Sequence, residues 1–127
     1  MYVMNKLAKG APASLFKTLA DPTRLRLLNL LACGETCVCD LTDTLRVVQP
    51  KVSRHLRLLD RAGLVEARRD GKWTHYRWTQ PRDPLVRDVL MGLREWMAKD
   101  VRLKGERRLR RKICCRVDQR KTKGRSS

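Results

Sequence analysis

Between Thr36 and Leu59 the sequence reads TCVCDLTDTLRVVQPKVSRHLRLL, two helical patterns held a tight turn apart. Thr36 can cap the first pattern, which places Val38, Leu41 and Leu45 inward. Arg46 to Val48 make the turn, and Gln49-Pro50 opens the second pattern with proline at its first helical position. Val52, Leu56 and Leu59 follow i, i+4, i+7 spacing and face a core. That leaves Lys51, Ser53, Arg54, His55 and Arg57 on the outer side. Two short helices so joined, the second basic and polar outward, form a helix-turn-helix pattern.

The flanking residues fit around that pair. Ser14 can cap a first helix with Leu15, Phe16, Leu19 and Ala20 as its apolar face. Asp21-Pro22 starts a second helix, whose stripe Leu25, Leu28, Leu31 and Ala32 is widened by Leu27 and Leu30 before Cys33-Gly34 ends it. After Gly63, residues 64–69 and 73–78 read as strands around Asp70-Gly71-Lys72, a hairpin signal. A basic hairpin behind a recognition helix is a wing. Trp73, Tyr76 and Trp78 are expected to pack in this sheet, and His75 to be structural. Pro81 and Pro84 introduce one long last helix, reaching about Arg108–Lys112, with Leu85, Val89, Leu93, Trp96 and Met97 on one side. The predicted fold is mainly α with a β-hairpin wing, a winged helix-turn-helix over residues 13–112. A mobile arm of residues 1–12 precedes it and a basic, disordered tail of residues 113–127 follows. The first and last helices carry more apolar surface than one small domain covers, so a homodimer joined through them is expected.

Charge narrows the partner. The 127 residues carry a formal charge of +17, which calls for a polyanion. Residues 99–127 contain thirteen Lys or Arg against three Asp or Glu, yet the rest of the chain keeps an excess of about +7. Double-stranded DNA is the expected partner. Gln49, Lys51, Ser53, Arg54, His55 and Arg57 are placed to read bases or hold phosphates, and Arg68, Arg69 and Lys72 of the wing to meet backbone or minor groove. No apolar run approaches the roughly 20 residues that span a bilayer. The first residues lack the apolar stretch of a signal peptide, so no membrane partner and a cytoplasmic location are expected.

Five cysteines, an odd number, argue against a disulfide framework. Cys37/Cys39 and Cys114/Cys115 form two close pairs suited to binding soft ions or to redox chemistry. Thiolates select trivalent arsenic and antimony, Cd(II) or Pb(II). Cys37 and Cys39 fall in a predicted first helical turn, where the helix dipole lowers thiol pKa values. Residues i and i+2 stand about 200° apart on a helix, so one ion can join both sulfurs only by distorting that turn. A further ligand stays open among Cys33, Cys114 and Cys115, with Cys33 expected to fill the core. An enzyme built on a cysteine nucleophile needs a base beside the thiol. His55, assigned to DNA, is not free for that role, so no catalytic residues are expected.

The runs LADPTRLRLLNLL, ETCVCDLTDTL, QPKVSRHLRLLDRAGLV and DGKWTHYRW, in that order, closely resemble the ArsR/SmtB family of bacterial winged-helix repressors. The resemblance covers about residues 14–97, and CVCDL ahead of QPKVSRHL looks most like the arsenical-resistance branch. It implies a homodimer on the promoter of its own operon that lets go when As(III) or Sb(III), the inducer, binds cysteine thiolates. Cys37, Cys39, Cys114 and Cys115 are the expected ligands. A Cd(II)/Pb(II)-responsive repressor or a thiol redox sensor is the alternative on the same fold. Two departures stand out. Thr42 occupies the third position of the arsenic-type Cys-x-Cys-x-x-Cys motif, and residues 83–112 lack the histidines of the zinc-sensing branch.

Overall fold

The computed structural model describes residues 11–126, and the side chains of residues 12–114. Most of the expected N-terminal arm lies outside the described residues. Helix α1 (Ala11–Leu19) begins ahead of Ser14, with Pro12 in the first turn, where a missing N–H breaks no helical hydrogen bond. Asp21 caps α2 (Pro22–Leu31) as expected, accepting from the Thr23 and Arg24 amides at 2.8 and 3.1 Å. Leu27, Leu28, Leu30 and Leu31 are all buried, which makes α2 the helix the others pack around.

The helix-turn-helix is α3 (Val38–Leu45) and α4 (Gln49–Arg61). Arg46 closes α3 in the left-handed region at φ 55°, donating its amide to Thr42 O. A side chain with a Cβ pays roughly 1–2 kcal/mol for that conformation, and the sharp reversal into α4 requires it. Val52, Leu56 and Leu59 are fully buried under α2. The wing is an antiparallel hairpin of β2 (Val65–Asp70) and β3 (Trp73–Trp78), with Asp70 opposite Trp73 and Gly71 turning at φ 61°. A two-residue strand, β1 (Thr36–Cys37), pairs with the other edge of β3, giving the order β1-β3-β2.

The last helix is two helices. α5 (Pro84–Lys99), capped by Asp83, ends at Asp100, whose extended backbone (ψ 128°) turns the chain back. Asp100 then accepts from Leu103 N at 3.1 Å and so starts α6 (Val101–Ser126). The inward face of α5 is also rotated from the expected stripe. Leu90 and Met97 are buried with Val86, Val89 and Leu93 half-buried, while Leu85 points outward and Trp96 is 63% exposed. Helical backbone continues to Ser126, through the tail expected to be disordered. No proline follows Pro84, and the Arg, Lys and Gln of this stretch favour helix.

α6 folds back along α2 and α3 through polar contacts. Arg26 of α2 and Glu106 form a bidentate pair, the shortest bond 2.7 Å. The buried Asn29 donates to Leu103 O at 3.0 Å and accepts from Arg107, which also donates to Met97 O and Ala98 O. These bonds satisfy an amide that would otherwise be costly inside a leucine core. Among the described residues, no helix is long and apolar enough to cross a membrane.

Candidate metal-thiol and nucleic-acid site

Cys37 sits where strand becomes helix. Its backbone is extended (φ −69°, ψ 145°), it pairs with His75 across β1 and β3, and it occupies the N-cap position of α3. Cys39 lies in the first helical turn. Thr36, expected as the cap, instead donates its hydroxyl to Gly34 O at 3.0 Å. The 200° separation of two helical residues therefore does not apply to this pair. The sulfurs are 2.7 Å apart with α3 intact, closer than the roughly 3.8 Å that two ligands at 2.3 Å subtend at a tetrahedral metal. The pair therefore has to open by roughly 1 Å to hold an ion between the sulfurs.

Burial, rather than the helix dipole, governs the acidity of Cys39. Loss of solvent, then the hydrogen bond and charge of Cys37 and the charge of Asp40, push its pKa from 9.0 up to about 12. This burial disfavours the thiolate expected at Cys39 near neutral pH. The pair opens on a cleft of about 300 Å³. Its other walls include Gln49, Ser53 and Arg57 of α4 and Lys72, Trp73 and Tyr76 of the hairpin. Thiols and recognition-helix side chains thus share one surface depression.

Cys33 and Cys114 do not line this cleft. Cys33, expected to fill the core, is exposed at the end of α2. It borders a separate cavity of about 810 Å³ with Glu35, Arg68, Trp78 and Arg94. Cys114 is half-buried on α6, and the side chain of Cys115 lies outside the described residues. Among the described residues no three Cys, His, Asp or Glu side chains gather as a metal site. The described side chains of the four predicted ligands therefore bring only Cys37 and Cys39 together.

The residues expected to face DNA sort unevenly. Gln49, Lys51, Arg54 and Arg57 are exposed on α4, and Ser53 is half-buried in the cleft. His55 is not outward. It is 5% exposed, because position 55 lies three after Val52 and four before Leu59, on the same helical stripe. Arg24 Nη1 donates to its Nδ1 at 3.4 Å, and Arg24 Nε donates to Thr18 O at 2.6 Å. Burial holds the His55 pKa below its ordinary value against the pull of Asp21, with Arg24, Arg54 and Lys51 acting in the same direction as burial. His55 therefore braces α4 against α1 and α2 as a neutral imidazole.

On the wing, Arg69 and Lys72 are exposed, and Lys72 Nζ lies 5.4 Å from the centre of the Trp73 ring. Arg68 is engaged, clamping Glu35 through two 2.8 Å bonds. Trp78 packs as expected, its indole donating to Leu28 O at 2.8 Å. His75 is half-buried, with its Nε2 enclosed and lacking a hydrogen-bond partner. The residue most clearly missed from sequence is Arg110. Its guanidinium donates to Thr36 Oγ1 at 3.0 and 2.8 Å and to the Gly34 and Glu35 carbonyls at 3.4 and 3.3 Å. It thereby fixes the turn that delivers Cys37.

Residues 21–67 match the family described as bacterial regulatory protein, arsR family, which spans α2 through the start of the wing. The arsenic resistance transcriptional regulator ArsR1 of Pseudomonas putida is 44% identical over 97 residues, covering 70% of this chain and 73% of that protein. The arsenical resistance operon repressor of Escherichia coli is 57% identical over 67 residues, covering 52% of this chain and 57% of that protein. The fold is similar to a homodimeric winged helix-turn-helix DNA-binding domain from Mycobacterium bovis, with a TM-score of 0.61 and 28% identity. That match covers 75% of this chain and 85% of the other.

Proposed function

The chain belongs to the arsR family of bacterial regulatory proteins, and we propose that it is a metalloid-responsive repressor of its own resistance operon. It acts as a dimer on operator DNA and releases it when As(III) or Sb(III) binds Cys37 and Cys39. The observation that carries this reading is the shared cleft. A thiol pair 2.7 Å apart is lined up with Gln49, Ser53 and Arg57, side chains of the helix that reads DNA. Soft, thiophilic ions are what such a pair selects. Phe16 of α1 and Leu85, Met91 and Trp96 of α5 are exposed, which supports dimerisation through these helices.

The raised pKa of Cys39 favours trivalent metalloids over divalent cations. Arsenic and antimony at neutral pH are hydroxides, and each thiol proton leaves with a hydroxide as water. A divalent cation must instead displace the protons into solution. Expansion of the pair from 2.7 Å moves the first turn of α3, and α3 buttresses α4 through the Arg46 turn. Release requires that the ion favour the DNA-incompetent arrangement by a few kcal/mol. Arg110 anchors one turn of α6 at Thr36 and Cys114 follows one turn later, which supports a further sulfur from the Cys114/Cys115 pair.

The same proximity favours a second reading, a redox sensor. There an oxidant takes two electrons, both thiols lose their protons, and a Cys37–Cys39 disulfide forms. Alkylation under reducing conditions separates the two. As(III) should protect Cys37 and Cys39 from an alkylating reagent, as read by mass, and Cys39→Ser should abolish the protection. Full alkylation of both in saturating As(III) would rule out the metalloid reading.

A further inference from the structure

α6 presents a second cationic face that the helix-turn-helix and wing do not use. From Val101 to Cys114 the helix carries seven Lys or Arg and one acid, Glu106. Two of the cations turn inward, Arg107 onto Asn29 and the end of α5, and Arg110 onto the 34–36 turn. Glu106 is neutralised by Arg26. What remains outward is Arg102, Lys104, Arg108, Arg111 and Lys112, all exposed. Lys104, Arg108 and Arg111 follow i, i+4, i+7 spacing, and like charges so spaced each weaken a helix by a few tenths of a kcal/mol. A row of mutually repelling cations on a well-anchored helix is relieved by a polyanion laid along it.

The position of the row identifies the polyanion. Arg102, Arg46 and Arg26 border a recess of about 510 Å³ between the start of α6 and the helix-turn-helix turn. α6 proceeds from there past Glu106 to Arg110 at the 34–36 turn, so it lies antiparallel to α3. The first helix of a helix-turn-helix crosses the DNA backbone. The described turns of α6 extend roughly 20 Å beside it, enough to follow several phosphates. An interfacial membrane helix would need a broad apolar outer face, and among the described residues of α6 only the large hydrophobics Val101 and Leu109 are exposed.

We infer that the outer face of α6 is a second duplex-DNA contact, holding phosphates outside the half-site read by α4 and indifferent to sequence. This rests on the DNA-binding reading above. The test compares two labelled duplexes from upstream of the protein's own gene, one trimmed to the protected half-sites and one longer by about one helical turn at each end. The wild-type protein should bind the longer duplex about tenfold more tightly near 100 mM salt, with a steeper salt slope. The variant Lys104→Gln/Arg108→Gln/Arg111→Gln should match wild type on the trimmed duplex. It should lose the gain on the longer one, with the slope reduced by roughly 2–3. No gain from added length, equal loss on both duplexes, or preference for duplex RNA of the same length would each overturn the inference. Wild-type protein that binds neither duplex above random DNA would overturn the DNA-binding reading as well.

Discussion

Arg110 and Thr36, 74 positions apart in sequence, meet through two hydrogen bonds of 3.0 and 2.8 Å from the guanidinium to the threonine hydroxyl. Thr36 is the residue before Cys37, so a side chain of α6 sets the position of the backbone that carries this thiol. Replacing Arg110 with Met keeps the aliphatic packing and removes the donors. The variant should unfold about 1.5–3 kcal/mol more easily in urea. It should also need a different As(III) concentration for half-release from DNA than wild type. An unchanged release midpoint would show that the clamp stabilises the fold without positioning the sensor.

His55 gives a pH signature. Its folded pKa lies below the ordinary 6.5, so protonation favours the unfolded chain. The stability it contributes is present above about pH 6.5 and is lost as pH falls through the depressed folded value. The urea midpoint of wild-type protein should drop between pH 6.5 and 5, and His55→Leu should flatten that segment. His55→Gln should weaken DNA binding less than Arg54→Ala does, as expected of a brace rather than a base contact. A larger loss for His55→Gln would return the imidazole to the groove.

The wing cations should separate in salt titrations. Arg69→Ala and Lys72→Ala should each lower the slope of log K against log salt by about 0.9, one phosphate contact apiece. Arg68→Ala should change it less, since Arg68 is already occupied by Glu35. Equal slopes for all three variants would mean that the Glu35 pair opens on DNA.

Cys39 makes the choice of inducer pH-dependent. With its pKa pushed up to about 12, a divalent ion displaces thiol protons on binding. Cd(II) affinity should rise about tenfold per pH unit for each proton displaced between pH 6 and 8. As(III) affinity should stay nearly flat over that range, because the protons leave as water. Competition titrations at three pH values measure both. A steep dependence for As(III) would show that Cys39 is already thiolate before the ion binds.

The helix-turn-helix and hairpin were legible because local signals and core pattern agree there. Pro50 starts α4, Val52, Leu56 and Leu59 bury one side of it, and Asp70-Gly71 marks the wing turn. The i, i+4, i+7 stripe of Val52, Leu56 and Leu59 leaves His55 out, although its i+3 spacing from Val52 and its i+4 spacing to Leu59 put it on the same side. The strand position of Cys37 has no local signature, since two residues extend only because β3 lies beside them. The proximity of the two sulfurs follows from that extension and was hidden with it. Asp100 resembles an ordinary solvent-side acid in a basic stretch, and its capping role shows only once α6 folds back. Arg110 was one cation among many, and its role depends on contacts 74 to 76 positions away.

Release of DNA by an ion on the thiol pair is read by the fluorescence anisotropy of the labelled promoter bound by this protein, titrated with As(III) under reducing conditions. Micromolar As(III) should release the wild-type protein and leave Cys37→Ser, which should still bind the promoter, in place. Anisotropy that stays high as As(III) is added to the wild-type complex, or falls equally in Cys37→Ser, would contradict the metalloid reading.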